Sequence, residues 1–261
     1  MKLSSANINV MVKTCRRAAK TLIRDFGEIE NLQVSVKGPG DFVTSSDIKV
    51  EKIIIEELLK ARPNYSILSE EAGKISNDES FKWIIDPIDG TSNFLHGIPH
   101  FAISIGLEHN KEIICGIIYD PIKDEMFTAE KGNGSYLNNQ RMRVSSRSKL
   151  KDCLIVTGGL KRNQKERDLA LKEYDKFSSS VDIPVRKMGS ASLDMAYVAA
   201  GRFDGMWQRN LNYWDIAAGI ILIKEAGGFV TDFNGNDAYI EKKTILATNS
   251  RINKEMIEVL K

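Results

Sequence analysis

Apolar residues recur at two different periods along this chain, and the change of period divides it. Ile8, Val12, Cys15, Ala19, Leu22 and Phe26 follow helical spacing after a cap at Ser4 or Ser5, so the pattern predicts a first helix stopping near Gly27. A turn-rich stretch, Lys37-Gly38-Pro39-Gly40-Asp41, separates it from a second expected helix over residues 44–61, with Val50, Ile54 and Leu58 inward and Pro63 beyond its end. Ser66-Ile67-Leu68 and Trp83-Ile84-Ile85 read as short buried strands. From Phe101 the period becomes two, and strands over 101–108, 113–119, 125–129 and 135–137 with short polar turns between them predict an antiparallel meander. Beyond it, strands at 154–157, 184–187, 203–208, 229–231 and 244–247 alternate with helices at 163–177, 190–200 and 214–226 and with a last helix. Such alternation predicts a layered α/β structure.

Composition narrows the class. At 261 residues, 42% hydrophobic and 28% charged, the chain has the makeup of a soluble globular protein with a sizeable core. Its net charge of +2 predicts no dominant attraction to nucleic acid or membrane. The N-terminal residues lead into an amphipathic pattern instead of a continuous apolar run, so no signal peptide is expected. Cys15, Cys115 and Cys153 are odd in number, scattered and set among apolar neighbours, which points to reduced core thiols in a cytoplasmic protein. Arg141, Arg143, Arg147, Lys149 and Lys151 form a basic segment between the two halves, expected at 1–145 and 146–261 and packed as one unit. A run of this kind is ordinarily a solvated face, and contact with nucleic acid or protein is the alternative.

The chemistry concentrates after the strand Trp83-Ile84-Ile85. Asp86 and Asp89 are separated by Pro87 and Ile88 and followed by Gly90-Thr91-Ser92-Asn93, and Pro87 predicts a rigid turn aiming both acids at one point. Gly90 permits close backbone approach, and Thr91, Ser92 or Asn93 is placed to cap a short helix whose first N–H groups suit an anion. Two hard oxygen ligands beside an anion cradle fit Mg2+ and phosphate. A turn with two solvated aspartates is the plainer reading of the same residues.

The segment 86–94, Asp86-Pro87-Ile88-Asp89-Gly90-Thr91-Ser92-Asn93-Phe94, resembles the first signature of the inositol monophosphatase family, and Trp214-Asp215-Ile216-Ala217-Ala218-Gly219 resembles its second. Gly40-Asp41-Phe42-Val43-Thr44-Ser45-Ser46-Asp47 and Ser69-Glu70-Glu71-Ala72-Gly73 are similar to further family segments, in the family's order, and the whole resembles the bacterial SuhB-type members. The resemblance implies the family's five-layer αβαβα sandwich, shared with fructose-1,6-bisphosphatases. It implies two or three Mg2+ ions: Glu70, Asp86 and the carbonyl of Ile88 on one, Asp86, Asp89 and Asp215 on another, and Asp47 reaching a third through water. Glu70 and Thr91 would activate the attacking water, Glu71 would stand behind them, Gly90 and Thr91 would offer N–H groups to the phosphate, and Lys37 would face it from a mobile loop. Gly189, Ser190 and Ala191, with Asp89, Asp215 and Gln208, would meet the alcohol part of the substrate.

Without the resemblance, Lys37 is an ordinary surface charge, Asp47 and Asp215 are helix-cap acids and Thr91 an N-cap. His96, His100 and His109 are expected to be structural. Gln208 departs from the glutamate usual in inositol-specific relatives; it keeps the length but loses the charge. The implied activity is Mg2+-dependent, lithium-sensitive hydrolysis of inositol monophosphate or a related polyol or sugar phosphate, by a homodimer. Fructose 1,6-bisphosphate and 3′-phosphoadenosine 5′-phosphate are alternative substrates, and a transcription or RNA-processing accessory role is the alternative of another class.

Overall fold

The computed structural model describes residues 5–28, 34–38, 41–158, 164–180 and 183–261. Helix α1 (Ala6–Gly27) starts where the Ser5 hydroxyl accepts a hydrogen bond from the Ile8 N–H, which satisfies one of the donors a helix start leaves over. β1 (Val34–Gly38) and β2 (Asp41–Thr44) then pair antiparallel. The turn-rich stretch expected here is thus strand on both sides, since strands this short are obscured in the sequence by Gly38, Pro39 and Gly40; residues 39–40 and the Lys37 side chain lie outside what is described. α2 (Ser45–Ala61) follows directly. The Thr44 hydroxyl accepts from the N–H of Ser46 and Asp47 while the Asp47 carboxylate takes the Thr44 N–H, a capping box.

β3 (Tyr65–Ser69), β4 (Gly73–Ile75) and β5 (Asp78–Asp89) begin the large sheet. β5 runs through both acids of the signature segment, so the expected turn between them is a sheet irregularity instead. Asp86 pairs with Ser104 and Asp89 with Ala102, three steps against two, leaving one extra residue bulged at Pro87-Ile88. Pro87 has no N–H to lend to a ladder, so the bulge falls where pairing was already broken. Gly90, in left-handed backbone at φ 96°, then enters α3 (Thr91–Leu95). The cap position is therefore Gly90 and not Thr91, Ser92 or Asn93.

The meander comprises β6 (Ala102–His109), β7 (Glu112–Asp120), β8 (Glu125–Glu130), β9 (Gly134–Leu137) and a short β10 (Gln140–Met142) that the periodicity did not reveal. These strands form an eight-stranded sheet in the order β10-β9-β8-β7-β6-β5-β3-β4. Next come β11 (Ile155–Thr157), α4 (Gln164–Asp175), continued by a wider helical turn over Lys176–Ser180, β12 (Val185–Arg186) and α5 (Ala191–Ala199). β13 (Gly205–Arg209), α6 (Tyr213–Glu225), β14 (Phe229–Thr231), α7 (Tyr239–Lys242), β15 (Thr244–Thr248) and α8 (Asn253–Leu260) complete the chain. The second sheet is five-stranded, ordered β12-β11-β13-β15-β14.

Three hydrophobic clusters order the layers. One packs α1 and α2, through Met11, Leu22, Ile54 and Leu58, on the face of the large sheet that carries Trp83, Ile105 and Ile117. Another sets Ile118 and Phe127 of the opposite face against α5 and α6, whose other side meets Val156, Met206 and Ala247 of the small sheet. The last covers Ile155, Trp207 and Leu246 with Phe177, Met256 and Leu260. Neighbouring residues of one strand, such as Ile117 and Ile118, thus serve different clusters, as the two-residue period requires. The result is a five-layer αβαβα sandwich.

Two glycines set the height of the central helices above the sheet. Gly106 and Gly116 are paired across β6 and β7. A Cβ on Gly116 would lie 2.8 Å from the Ala218 carbonyl oxygen, and one on Gly106 would lie 3.0 Å from the Ala217 Cβ. α6, which carries Asp215 in its first turn, rests directly on that trough.

Candidate active site

The acids gather around the bulge at the end of β5. Asp86 is 2% exposed and accepts the Ile88 N–H at 3.1 Å. Burial, and then the charges of Glu70, Asp89, Asp215 and Asp47, push its carboxyl well above the usual range. These five residues come from the end of β5, the segment after β3, and the first turns of α2 and α6. Asp47, also buried, is raised to about 6, first by burial and further by Glu71, against the opposing hydrogen bonds from Thr44.

Three of the acids around Asp86, namely Asp89, Asp215 and Asp47, are turned to protein donors. Asp89 Oδ2 accepts the Ser190 hydroxyl at 2.6 Å and both the N–H and the hydroxyl of Ser192, at 2.6 and 2.5 Å. Its pKa is raised by burial against those hydrogen bonds. Asp215 Oδ2 accepts the Asn212 N–H at 2.7 Å, so its helix-cap role is real. Asp47 Oδ2 accepts the N–H and hydroxyl of Thr44. Arranged this way, no three acid, histidine or cysteine side chains among the described residues converge on one ion. The donor set nonetheless suits a hard divalent cation: every side chain acting on Asp86 is a carboxylate, and a carboxylate buried among others calls for positive charge.

Thr91 is not an N-cap. Its hydroxyl donates to the Ile88 carbonyl at 2.9 Å and lies 3.4 Å from Asp47 Oδ1. The Ile88 carbonyl expected to face a metal therefore also receives Thr91. Gly90 is held by shape: a Cβ there would stand 3.0 Å from the His100 carbonyl oxygen and 3.3 Å from that of Gly189, so Gly189 packs against the signature segment. Asn93 joins the same junction, its amide donating to the carbonyls of His100 and Met188 at 2.8 and 2.9 Å. Ser190 caps α5, and Ala191 is its first residue.

Gln208 stands apart from this cluster. It lines a cavity of about 30 Å3 with Thr157, Glu166, Glu173 and Arg209, and none of the five acids lines it. Its side chain lies over Gly158, where a Cβ would approach to 2.3 Å, and its Oε1 is buried with no hydrogen-bond partner among the described residues.

The histidines pack as expected. His109 stacks on Phe81, His96 Nδ1 sits 2.7 Å from the Ser92 carbonyl, and His100 meets the edge of Tyr197. Burial lowers His100 to about 4. The three cysteines are buried and unpaired. In the basic segment, Arg147 is committed to buried Asp204 at 3.1 Å.

Asn93 and Ser192 lie in segments the sequence singles out, but their contacts with Met188 and Asp89 were not legible there, and Glu51, a buried acid, went unmarked. The one signal available was positional: Glu51 is one helical turn after Asp47. No helix among the described residues is long and apolar enough to cross a membrane.

The model of the inositol monophosphatase family matches residues 5–260. The chain is 50% identical over 257 residues to an inositol-1-monophosphatase of Rhizobium meliloti, covering 98% of this chain and 96% of that one. It is 41% identical over 231 residues to a protein named Nus factor SuhB of Xylella fastidiosa, covering 88% and 83%. Among solved structures, the extragenic suppressor protein suhB from Bartonella henselae matches with a TM-score of 0.95 and 49% identity over 98% of this chain and 99% of that one.

Proposed function

This chain belongs to the inositol monophosphatase family, and from that premise we propose that it is a Mg2+-dependent hydrolase of inositol monophosphate or a related polyol or sugar phosphate. The observation that carries the reading is buried Asp86 within the field of four further acids, beside a bulge that leads straight into a helix start. Glu70, Asp86, Asp89 and Asp215, with the Ile88 carbonyl, would hold the ions. Divalent cations bound there would supply the positive charge that a phosphomonoester dianion and its leaving alkoxide require, and would acidify an attacking water.

The chain's own residues do the rest. Thr91 would accept a hydrogen bond from the attacking water and, by turning its one hydroxyl proton from the Ile88 carbonyl at 2.9 Å to Asp47 at 3.4 Å, pass a proton toward Asp47, with Glu70 orienting that water. The first N–H groups of α3, at Gly90 and Thr91, would take phosphate oxygens. Ser190 and Ser192 hold Asp89 so that its carboxylate keeps one orientation. Gly189, Ser190 and Ala191 would line the alcohol side, while Gln208, set over Gly158 apart from the acids, would meet only a part of the alcohol that extends beyond them, where its neutral amide relaxes the demand for inositol.

The test is phosphate release from a panel of inositol, glycerol, fructose and nucleotide phosphates, with and without Mg2+ and with added Li+. Release that needs Mg2+ and falls with Li+ is expected; none from any substrate overturns the reading. If Gln208 meets the alcohol, Gln208→Glu will shift the ratio of kcat/KM toward inositol monophosphate over glycerol phosphate.

Relatives carrying the name Nus factor favour a second reading, a role in transcription or RNA processing. Charge reversal at Arg143, Lys149 and Lys151, which spares Arg147 and its partner, tests it: loss of that role with unchanged phosphate release supports it, and no loss removes it.

A further inference from the structure

Glu51 is a buried acid with no part in the site as described so far. It lies on α2 at 4% exposure, one turn after Asp47. Its Oε1 accepts the hydroxyl of Ser69 in a short hydrogen bond and the N–H of Glu71 at 2.9 Å. These two residues flank Glu70, whose own N–H donates to the Ile85 carbonyl at 3.2 Å. The backbone that presents Glu70 is therefore pinned on both sides by one carboxylate and tied to β5 between them.

Neither lysine nor arginine pairs with Glu51 among the described residues. Its two hydrogen bonds are therefore what it contributes, and a neutral acceptor of the same length would make them too. Its placement explains what the contacts achieve. Asp47 and Glu51 are four residues apart on one face of α2, so the same helix reaches Thr91 through the first and both neighbours of Glu70 through the second. The loops after β3 and β5 are thereby set at a fixed separation.

We propose that Glu51 is a positioning residue: it holds Glu70 in place for metal binding. The proposal rests on the hydrolase reading for its chemical meaning, but its test includes a measurement that needs no turnover. Wild type, Glu51→Ala and Glu51→Gln are compared by circular dichroism, by Mn2+ binding followed by electron paramagnetic resonance, and by the Mg2+ dependence of phosphate release. Glu51→Ala is expected to fold and to need roughly 10- to 100-fold more Mn2+ for half-saturation, with a parallel rise in the Mg2+ requirement. KM for the phosphomonoester at saturating metal should move far less. Glu51→Gln, which still offers an oxygen to Ser69 and Glu71, should recover most of the loss.

Wild-type Mn2+ binding in Glu51→Ala overturns the proposal, and so does a Glu51→Gln variant as impaired as Glu51→Ala. Should Glu51→Ala fail to fold, Ser69→Ala removes one of the two contacts and should weaken Mn2+ binding in the same direction; unchanged binding there overturns it equally. A wild type that binds Mn2+ yet hydrolyses nothing defeats the hydrolase reading alone, whereas one that binds no Mn2+ defeats both.

Discussion

Ser192 gives both its backbone N–H and its hydroxyl to Asp89 Oδ2, at 2.6 and 2.5 Å, across 103 residues of chain. That contact joins the end of the large sheet to the first turn of α5. It makes Asp89 a structural acceptor as well as a candidate ligand, and the two roles can be separated. Asp89→Asn keeps an oxygen for the serine donors and removes the charge, so it should fold normally and lose at least about 100-fold in phosphate release. Circular dichroism with a phosphate assay checks this, and a fully active variant would end the metal assignment. Ser192→Ala should lower stability by about 1 to 2 kcal/mol by leaving a buried acceptor short of donors.

Asp86 is held in the metal-free protein against its own burial and four neighbouring charges. Asp86→Asn should therefore melt at least as high as wild type in EDTA, by roughly 2–4 °C if about 1 kcal/mol of strain is relieved in a protein of this size. Added Mg2+ should raise the Tm of wild type and leave the variant unmoved, since binding to the folded form alone is what stabilises. A variant that melts well below wild type in EDTA would contradict this account.

Asp47 gives a pH signature whose sign follows from its raised pKa. Between the ordinary aspartate value of 3.8 and about 6 the folded protein holds a proton that the unfolded chain releases. Its contribution to stability is therefore present at low pH and lost as pH rises through about 6, by about 3 kcal/mol in all. His100, lowered to about 4, acts in the opposite direction over nearly the same window, so raw stability curves mix the two. The comparison that isolates Asp47 is urea unfolding of wild type and Asp47→Asn in EDTA at several pH values. The variant should gain on wild type from pH 4 to 6 and hold a constant lead above that.

Gly116 faces the Ala218 backbone and the Ile221 side chain with no room for a methyl group. Gly116→Ala should destabilise by about 1 to 3 kcal/mol as α6 is pushed off the sheet. Because Asp215 rides on α6, the Mg2+ requirement should rise as well. Thermal unfolding and a metal titration read the two effects, and an unchanged Tm would show that the trough is not tight.

Much of this architecture was legible beforehand. The meander, both long N-terminal helices and the alternating elements of the second half follow from periodicity, because an amphipathic segment must bury one face whatever it packs on. The signature segments were legible for a related reason: two carboxylates, a proline and a glycine fall within the five residues 86–90, and the further segments follow in the family's order. What escaped was short or bulged. β4, β10 and α7 are too brief for a period to register, and β5 continues through Asp86 and Asp89 where proline suggested it would stop.

By itself the sequence determined the order of elements, the family and the identity of the acids, since each depends on residue type and local spacing. Only the tertiary structure decided how those acids are oriented. Asp89 is turned to Ser190 and Ser192, Thr91 to Ile88 and Asp47, and Glu51 to the residues beside Glu70. Gln208 rests on Gly158 in a cavity that none of the five acids lines. A hydrogen bond depends on angles and on separations of about 3 Å, and residues a hundred positions apart acquire such separations only once the sheets and helices have packed.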